Sequence, residues 1–547
     1  MKKLFVFGLL LISALLIFCS TKNQPSVNKR AVYGGTLKIA SLGSLENLDP
    51  QKIIFYTDLQ VSSLVYEGLV TFKEKTYDAE PLLAKTWKIS EDGRKIIFTL
   101  QDNTYFQDDQ CFSGGKGRQL VADDVRYTFE RMADPSTKCP NWYLFSGKIK
   151  GIDDYYNSLA DSISGIVVLN KEQVEFHLTK PWFNFLKILA TSSAYIIPRE
   201  AVEFYNENFN KHPVGTGPFR LTDWKQLEHL VFVKNKNYWR KDGLGESLPF
   251  LDFIYIRLIS NPILQISEFL KGNLHLLKAN ERRYQKLQKE EGFWGKYKVA
   301  NSNQAFNIRF LGFSMNKEAP VSGWQNLRQA IAIGFNRSAI VTEKEIHPKL
   351  AQTLVPDFLL NNPAKQWYNY NPVLARKIIN GNRASKKKAI NISTNIEAKE
   401  LRVLKESCEK LGLKCSINLK KDRYYPHIIK DRPDIFRVSF HPSYPDPEEY
   451  YALFYSKNSS EVNLFGYNNP QFDMILEQLV KEQNKAIRQQ LFNKLEKILK
   501  EDVPALYLNY PEFTYCIVPK YVYGLKIRFN ISDFSQVWME PQNANEN

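Results

Sequence analysis

The most informative segment of this chain is His212-Pro-Val-Gly-Thr-Gly-Pro-Phe219. Its two prolines fix φ and its two glycines permit backbone angles that other residues avoid, so it predicts a rigid turn. Strand-like sequences follow at 221–224 and 230–233, whereas a phosphate-binding loop would need a third glycine and a helix there. We therefore expect a change of chain direction rather than a nucleotide site.

Two segments have the pattern of amphipathic helices. One opens at Ala122, where Val125, Phe129 and Met132 recur at helical spacing and predict a buried face. The other is predicted from about 398 to 411, with Gly412 as its C-cap, and leads into a strand at 415–419.

The N-terminus has the pattern of an export signal. Lys2 and Lys3 precede an apolar run at 4–18, which is short for a membrane span and typical of a signal-peptide core. We predict a signal peptide over 1–18 and a flexible tether over 19–32. Leu16-Ile17-Phe18-Cys19 resembles a bacterial lipobox, which implies lipidation of Cys19 and membrane anchoring. A removed signal without lipid and an uncleaved anchor remain alternatives.

Composition and charge fit a globular protein of more than one domain. Of the 547 residues, 44% are hydrophobic and 24% charged, and so long a chain exceeds what one hydrophobic core organises. The formal net charge of +16 is spread along the chain. The densest basic run, Lys386-Lys-Lys388, has no interleaved aromatic residues, so we predict a solvated loop and no nucleic-acid partner.

Cysteines and histidines do not suggest a cofactor. Cys111 and Cys139 lie on either side of the Ala122 helix, and we predict that they form a disulfide in the export compartment. Cys408 and Cys415 are a weaker candidate pair, and Cys516 is left over. The seven histidines do not cluster and no Cys-x-x-Cys occurs, so we expect neither a metal site nor another cofactor.

Catalytic motifs are also missing from the sequence. It contains no Gly-x-Ser-x-Gly elbow, no Walker loop and no His-Glu-x-x-His segment. We therefore predict that the protein is not an enzyme.

The turn is followed by a tryptophan and by Asn235-x-x-Tyr238-Trp239. With other segments in the same order, it resembles the family 5 extracytoplasmic solute-binding proteins, the oligopeptide, dipeptide and nickel receptors of ABC importers. The resemblance covers residues 33–530. The other segments that carry it include Gly34-Gly-Thr-Leu-Lys-Ile-Ala40, Asn47-Leu-Asp-Pro50, Val65-Tyr-Glu-Gly-Leu69, Pro81-Leu-Leu-Ala-Lys-Thr-Trp87, Asn326-Leu-Arg-Gln-Ala-Ile-Ala332, Tyr444-Pro-Asp-Pro447 and Tyr467-Asn-Asn-Pro-Gln-Phe-Asp473.

This resemblance implies a fold of the periplasmic-binding-protein type, type II and of the three-domain class. Two α/β lobes then lie around a hinge, with an extra domain. The implied division is a discontinuous domain I (33–62, 205–284 and 505–547), domain II (63–204) and domain III (285–504).

The same resemblance implies a function. Such proteins are exported, periplasmic or cell-surface receptors that act as monomers, close their lobes on a peptide or another small solute, and deliver it to a membrane permease. A surface lipoprotein that keeps the fold but serves adhesion or signalling is the alternative.

The resemblance also locates a candidate pocket. Peptide-binding members hold the ligand's α-amino group with an aspartate where this chain has Ser443, so we expect a ligand that is neutral or anionic at that end. Arg437 matches an arginine that faces the ligand's carboxylate, although a salt bridge that stabilises the lobe is the alternative. The candidate ligand-binding residues are Tyr56, Trp142, Tyr143, Arg437, Ser439, Phe440, His441, Ser443 and Tyr444.

Overall fold

A computed structural model describes most of the chain between residues 31 and 541. The described ranges are 31–41, 45–303, 306–315, 324–340, 350–360, 368–381, 389–510, 514–529 and 531–541. The predicted signal peptide, the predicted lipidation site Cys19 and the run 386–388 lie outside them. Among the described helices, none combines the length and the apolar character that crossing a bilayer requires.

Strands and helices alternate along the chain. The strands are β1 (Thr36–Ser41), β2 (Val70–Phe72), β3 (Ala79–Pro81), β4 (Ala84–Ile89), β5 (Lys95–Leu100), β6 (Ile166–Asn170), β7 (Gln173–His177), β8 (Phe219–Lys225), β9 (His229–Lys234), β10 (Phe253–Leu258), β11 (Leu277–Asn280), β12 (Tyr297–Asn303), β13 (Ile308–Phe313), β14 (Ile390–Thr394), β15 (Cys415–Leu419), β16 (Ile435–Phe440), β17 (Ala505–Asn509), β18 (Thr514–Pro519), β19 (Val522–Tyr523), β20 (Lys526–Arg528), β21 (Ile531–Asp533) and β22 (Trp538–Met539).

The helices are α1 (Tyr56–Ser62), α2 (Ala122–Ala133), α3 (Ile152–Tyr156), α4 (Phe185–Ile188), α5 (Arg199–Tyr205), α6 (Pro262–Leu270), α7 (Glu281–Gln288), α8 (Phe293–Lys296), α9 (Gln325–Gly334), α10 (Pro372–Asn380), α11 (Lys399–Lys410), α12 (Tyr424–Asp431), α13 (Pro447–Ala452), α14 (Pro470–Leu479) and α15 (Lys485–Asp502).

The first lobe contains two four-stranded sheets. One has the order β1-β10-β9-β8, in which only the β1–β10 pair is parallel, and the other is the antiparallel sheet β4-β5-β7-β6. Helix α2 packs on the second sheet through Val125, Phe129 and Met132, which are at most 1% exposed, as its periodicity predicted. One continuous hydrophobic core connects both sheets, so they form a single lobe.

The turn at 212–219 leads directly into β8, as predicted. Its glycines were expected to supply unusual backbone angles, but the structure needs them for another purpose. Neither Gly215 nor Gly217 has a positive φ. A Cβ atom at Gly215 would lie 2.2 Å from the carbonyl oxygen of Val65, and one at Gly217 would lie 2.6 Å from it. The Gly217 N–H donates to that same oxygen at 2.8 Å. Close backbone approach to the segment before β2 therefore requires both glycines.

The second lobe is built on the mixed sheet β15-β14-β16-β13-β17. Separate hydrophobic clusters cover its two faces, one with α14 and α15 and the other with α9, α10 and α11. Helix α11 spans Lys399–Lys410 and Gly412 follows it at φ +81°, which agrees with the predicted helix and C-cap. The fold is thus the expected two-lobed α/β architecture.

Two predicted domain boundaries do not coincide with the sheets. Strand β17 was placed in domain I but pairs with β13 in the second lobe. Strand β12 was placed in domain III but pairs with β18, in a small sheet that also contains β11. The chain therefore passes between the lobes after β12 and after β17. The division was implied by the family resemblance, and motifs in order along the chain do not specify which strands pair, so it could not place these crossings.

The predicted disulfide is wrong in this structure, because Cys111 and Cys139 are free thiols. The Cys111 thiol lies beside Asp109, whereas the Cys139 thiol lies beside Ser193. Their loops flank the same helix, but that arrangement did not bring the two sulfur atoms together. Cys408 and Cys415 are free thiols that lie next to each other, and Cys516 is buried.

Candidate ligand-binding cleft

A cavity of about 330 Å³ lies where the two lobes meet, and we call it the central cavity. The first lobe supplies the segment before and within α1, and residues 140–143 and 190–192, whereas the second supplies 441–443. Its described lining residues are Ile53, Ile54, Phe55, Tyr56, Leu59, Phe72, Pro140, Asn141, Tyr143, Ala190, Thr191, Ser192, His441, Pro442, Ser443, Phe529 and Ile531. Such a volume is at the small end of the range for ligand pockets.

The described wall of the central cavity carries no formally charged side chain at neutral pH. None of its lining residues is Asp, Glu, Lys or Arg. Burial lowers the pKa of His441, and its Nδ1 atom lies 3.0 Å from the carbonyl oxygen of Pro442. His441 is therefore neutral, with Nδ1–H as the donor. Its ring lies 5.8 Å from that of Tyr56 on the opposite lobe, so the two rings span the cleft.

A second cavity, of about 710 Å³, lies beside the first between the 135–182 region and the second lobe; we call it the seam cavity. Pro140 and Tyr143 line both cavities. Aromatic rings form much of its wall, and Trp142 stacks on Tyr156 with their centroids 4.1 Å apart. Unlike the central cavity, it is lined by lysines and glutamates: Lys138, Lys148, Lys180, Glu448, Glu449, Lys457, Glu461 and Glu477.

Polar contacts between the lobes converge on the start of α13. Asp446 caps this helix by accepting the N–H of Glu448 at 3.0 Å, and Pro447 occupies the first helical position. The same carboxylate accepts from Lys187 of the first lobe at 3.3 Å and from Arg488 of the second at 3.0 Å. Asp446 and Arg488 are both buried, so one carboxylate neutralises cations from both sides of the cleft.

Glu448 and Glu449 extend this contact. Asn184 Nδ2 of the first lobe donates to Glu448 at 2.8 Å, and Tyr143 OH lies 3.5 Å from Glu449. Glu449 also accepts the backbone N–H groups of Ser443 and Tyr444, at 2.8 and 2.9 Å. It therefore holds the Ser443 segment in place.

Both of these carboxyl groups are perturbed by burial. Glu448 is 6% exposed and Glu449 is 3% exposed. Burial raises the pKa of Glu448, and it raises the pKa of Glu449 to about 7 against the hydrogen bonds that favour its ionised form. The surrounding protein groups therefore do not fully compensate these charges.

The structure brings together most of the sequence-predicted site residues. Tyr56, Tyr143, His441 and Ser443 line the central cavity, and Trp142, Tyr143 and Tyr444 line the seam cavity. Ser439 is exposed on β16, and the Phe440 ring packs against Tyr450 with the ring centroids 5.4 Å apart. Neither residue lines the central or the seam cavity.

Arg437 is also absent from both cavity walls. Its Nε donates to Glu400 on α11 at 2.8 Å, and both side chains are largely buried. The expectation that it faces a ligand carboxylate is thus not supported by its geometry, which agrees with the alternative of a lobe-stabilising salt bridge.

Sequence reasoning missed most of the central cavity's apolar wall and every lysine and glutamate of the seam cavity. Glu448 and Glu449 directly follow the Tyr444-Pro-Asp-Pro447 segment, but Asp-Pro-Glu-Glu also has the composition of a favourable helix start. The two glutamates were therefore visible in the sequence, but a favourable helix start explained them without any role in a pocket. Among the described residues, no group of three or more His, Cys, Asp or Glu side chains is arranged to hold a metal ion.

A two-lobed α/β fold with a cavity between the lobes is the architecture of solute-binding proteins. Residues 78–461 match the model for bacterial extracellular solute-binding proteins, family 5 (Middle). The chain therefore belongs to this family, as its sequence motifs predicted.

Curated relatives and solved structures agree with this assignment. The chain is 24% identical over 497 residues to the peptide transport periplasmic protein SapA of Salmonella typhimurium, covering 85% of this chain and 84% of that one. It is 24% identical over 506 residues to heme-binding protein A of Haemophilus influenzae, covering 88% and 87%.

Its fold is similar to the crystal structure of a dipeptide binding protein from Pseudoalteromonas sp. SM9913 in complex with Met-Leu. The TM-score is 0.76 at 20% identity, covering 92% of this chain and all of that one. The periplasmic-binding-protein type of fold is thereby confirmed.

Proposed function

We propose that this protein is the extracytoplasmic substrate-binding component of an ABC importer. It captures a peptide or a related small solute between its lobes and presents the closed form to a membrane permease. The observation that carries this proposal is the central cavity, whose walls come from both lobes, so that closure buries the ligand. Relatives named for peptide transport and for heme binding support a small-solute ligand and leave its identity open.

The chemistry of the central cavity supports an uncharged ligand moiety. An ammonium or carboxylate buried there would find no counter-charge among the described lining residues. A hydrogen bond to a charged group contributes about 1.5–3 kcal/mol against about 1 kcal/mol for a neutral one, so Ser443 holds a neutral group best. The rings of Phe55, Tyr56 and Phe529 suit an apolar or aromatic body.

Membrane attachment through a lipid on Cys19 completes the proposal, with the protein working as a tethered monomer beside its permease. The pattern at 1–19 supports export and lipidation. Cys19→Ala should release the protein into the soluble extracytoplasmic fraction. Unchanged partitioning into detergent would contradict lipid anchoring.

Native mass spectrometry of protein purified without denaturation tests the binding function. We expect a retained small molecule that is lost on unfolding. Ile54→Trp should abolish retention, because Ile54 lines the central cavity and is 74% exposed, so that the larger ring fills the cavity without disturbing the core. Ile263→Trp, at a 77% exposed position on α6, is the matched control and should retain the ligand.

Retention that is indifferent to Ile54→Trp would contradict the central cavity as the site. A protein with no retained ligand and no thermal shift with peptide libraries, but with a macromolecular partner on cell surfaces, would favour adhesion or signalling instead.

A further inference from the structure

Two lysines of the first lobe share one tryptophan at the wall of the seam cavity. Lys148 Nζ lies 4.7 Å from the centroid of the Trp182 ring, and Lys180 Nζ lies 4.1 Å from it. Neither ammonium forms an ion pair with any residue in the described ranges. Cation–π contact holds them in place, but like charges so close repel each other. Their arrangement leaves room for an anionic partner.

The opposing wall from the second lobe carries the carboxylates of Glu448 and Glu449. Glu448 accepts one hydrogen bond from Asn184. Glu449 accepts the two backbone N–H groups described above and a hydrogen bond from the Ser443 side chain, and Tyr143 OH lies 3.5 Å from it. No lysine or arginine in the described residues lies within ion-pair distance of either carboxylate. Buried carboxylates and half-buried ammonium groups thus face one cavity from opposite lobes. Lys148 and Glu448 attract each other, but they form no ion pair.

We propose that the seam cavity is a second binding site, separate from the central cavity, for a zwitterionic solute. The solute's anionic group pairs with Lys148 and Lys180, and its cationic group is held by Glu448 and Glu449. The stacked rings of Trp142 and Tyr156 supply an apolar wall for the part of the solute between the two charges. Its volume of about 710 Å³ accommodates a small solute.

The charges that line the cavity favour such a ligand over a singly charged one. Burial lowers the pKa of Lys148 to about 8, while Glu449 is shifted in the opposite direction. Burial therefore disfavours the charged form of each group. A zwitterion supplies both counter-charges at once, whereas a simple anion meets the carboxylates and a simple cation meets the ammonium groups.

The pH dependence follows from the groups around the site. The charged neighbours of Lys148 are Glu448, Lys180, Asp153 and Glu449. The ionisable neighbours of Glu449 include Glu448, Lys148 and Tyr143, whose hydroxyl is hydrogen-bonded to the Ser443 side chain. Glu448 and Glu449 must be ionised, and Lys148 and Lys180 protonated, for the ligand to bind. Affinity should therefore be highest between about pH 7 and 8 and fall on both sides of that range.

The test is isothermal titration calorimetry at pH 7.5 with ω-amino acids from β-alanine to 6-aminohexanoate as probes. Hexanoate and hexylamine are the singly charged comparisons. We expect at least one zwitterion to bind at least tenfold more tightly than either. Lys148→Met and Glu448→Gln should each weaken its binding at least tenfold, and Lys150→Met, at an exposed position outside the cavity, is the matched control.

No binding by any ω-amino acid would overturn this proposal, and so would equal binding of hexanoate or indifference to Lys148→Met. Circular dichroism of each variant shows whether it is folded, and a misfolded Glu448→Gln leaves Lys148→Met as the deciding variant. The probes are added to the protein, so failure here is distinguishable from failure of the proposed function, which is read from the retained ligand and Ile54→Trp.

Discussion

The central cavity and the seam cavity share Pro140 and Tyr143, yet they differ in charge. The described wall of the first has no formally charged residue, whereas eight lysines and glutamates line the second. Both are bounded by the same second-lobe segment, with Ser443 facing one and Glu449 facing the other. The cleft thus separates a region suited to an uncharged ligand from a region where charges mediate contact between the lobes.

This separation has a stability consequence. Buried charges cost desolvation energy, which is recovered only when geometry and partners are good. Asp446 has such partners, whereas Glu448, Glu449 and Lys148 form no ion pair with another described residue. We therefore expect substitutions in the seam to change folding stability, in opposite directions for paired and unpaired groups, and substitutions in the central cavity to change ligand affinity.

The largest effect is expected for Asp446→Asn. Asparagine keeps the helix cap but removes the charge that Lys187 and Arg488 share. Leaving buried Arg488 without a counter-charge should lower the free energy of unfolding by about 3–5 kcal/mol. Guanidinium denaturation measures it, with Asp431→Asn as control. Asp431 pairs with His427 at the surface and is 55% exposed, so that change should cost under about 1 kcal/mol.

Arg437→Ala distinguishes the two interpretations of this arginine. If it serves the ion pair with Glu400, the substitution should lower the free energy of unfolding by about 3 kcal/mol, because it leaves a largely buried carboxylate unpaired. Retention of ligand by the folded variant, measured by native mass spectrometry, should be unchanged. A tenfold loss of ligand with unaltered stability would restore Arg437 to the pocket.

Glu449→Gln should stabilise the ligand-free protein at high pH. Its pKa is raised from 4.5 to about 7, so folding disfavours the ionised form. This penalty is absent below about pH 4.5 and complete above about pH 7. The variant should gain up to roughly 3 kcal/mol at pH 8 and much less at pH 5. Denaturation at both pH values measures this, and the exposed Glu290→Gln should show no such difference.

The smallest effect is expected in the central cavity, for Ser443→Ala. Loss of one neutral hydrogen bond to the retained ligand should weaken its binding free energy by about 0.5–1.5 kcal/mol. Ser439→Ala is the matched control, because Ser439 was also predicted as a site residue but is exposed outside the cavity. Displacement titration compares the two, and equal losses would show that the cavity boundary is wrongly placed.

The sequence predicted local features well. It identified the turn before β8, the buried face of α2 and the C-cap at Gly412, because each depends on a few neighbouring residues. The family motifs then predicted the two-lobed fold and four residues of the central cavity.

What the sequence could not predict depends on contacts between distant residues. The pairing of Arg437 with Glu400, the free thiols of Cys111 and Cys139, and the convergence of Asn184 and Lys187 on the start of α13 all arise from how the elements pack. The role of Gly215 likewise becomes visible only when the Val65 carbonyl lies against it.

Small-angle X-ray scattering of the ligand-stripped and ligand-saturated protein tests the central claim most directly. The lobes are in contact in this structure. The ring centroids of Tyr77 and Phe306 lie 5.0 Å apart, and Asn184 donates a hydrogen bond to Glu448. We predict that the saturated protein scatters as this closed form and that the stripped protein has a larger radius of gyration. Identical scattering curves for the two samples, with ligand binding verified in the second, would contradict capture by lobe closure.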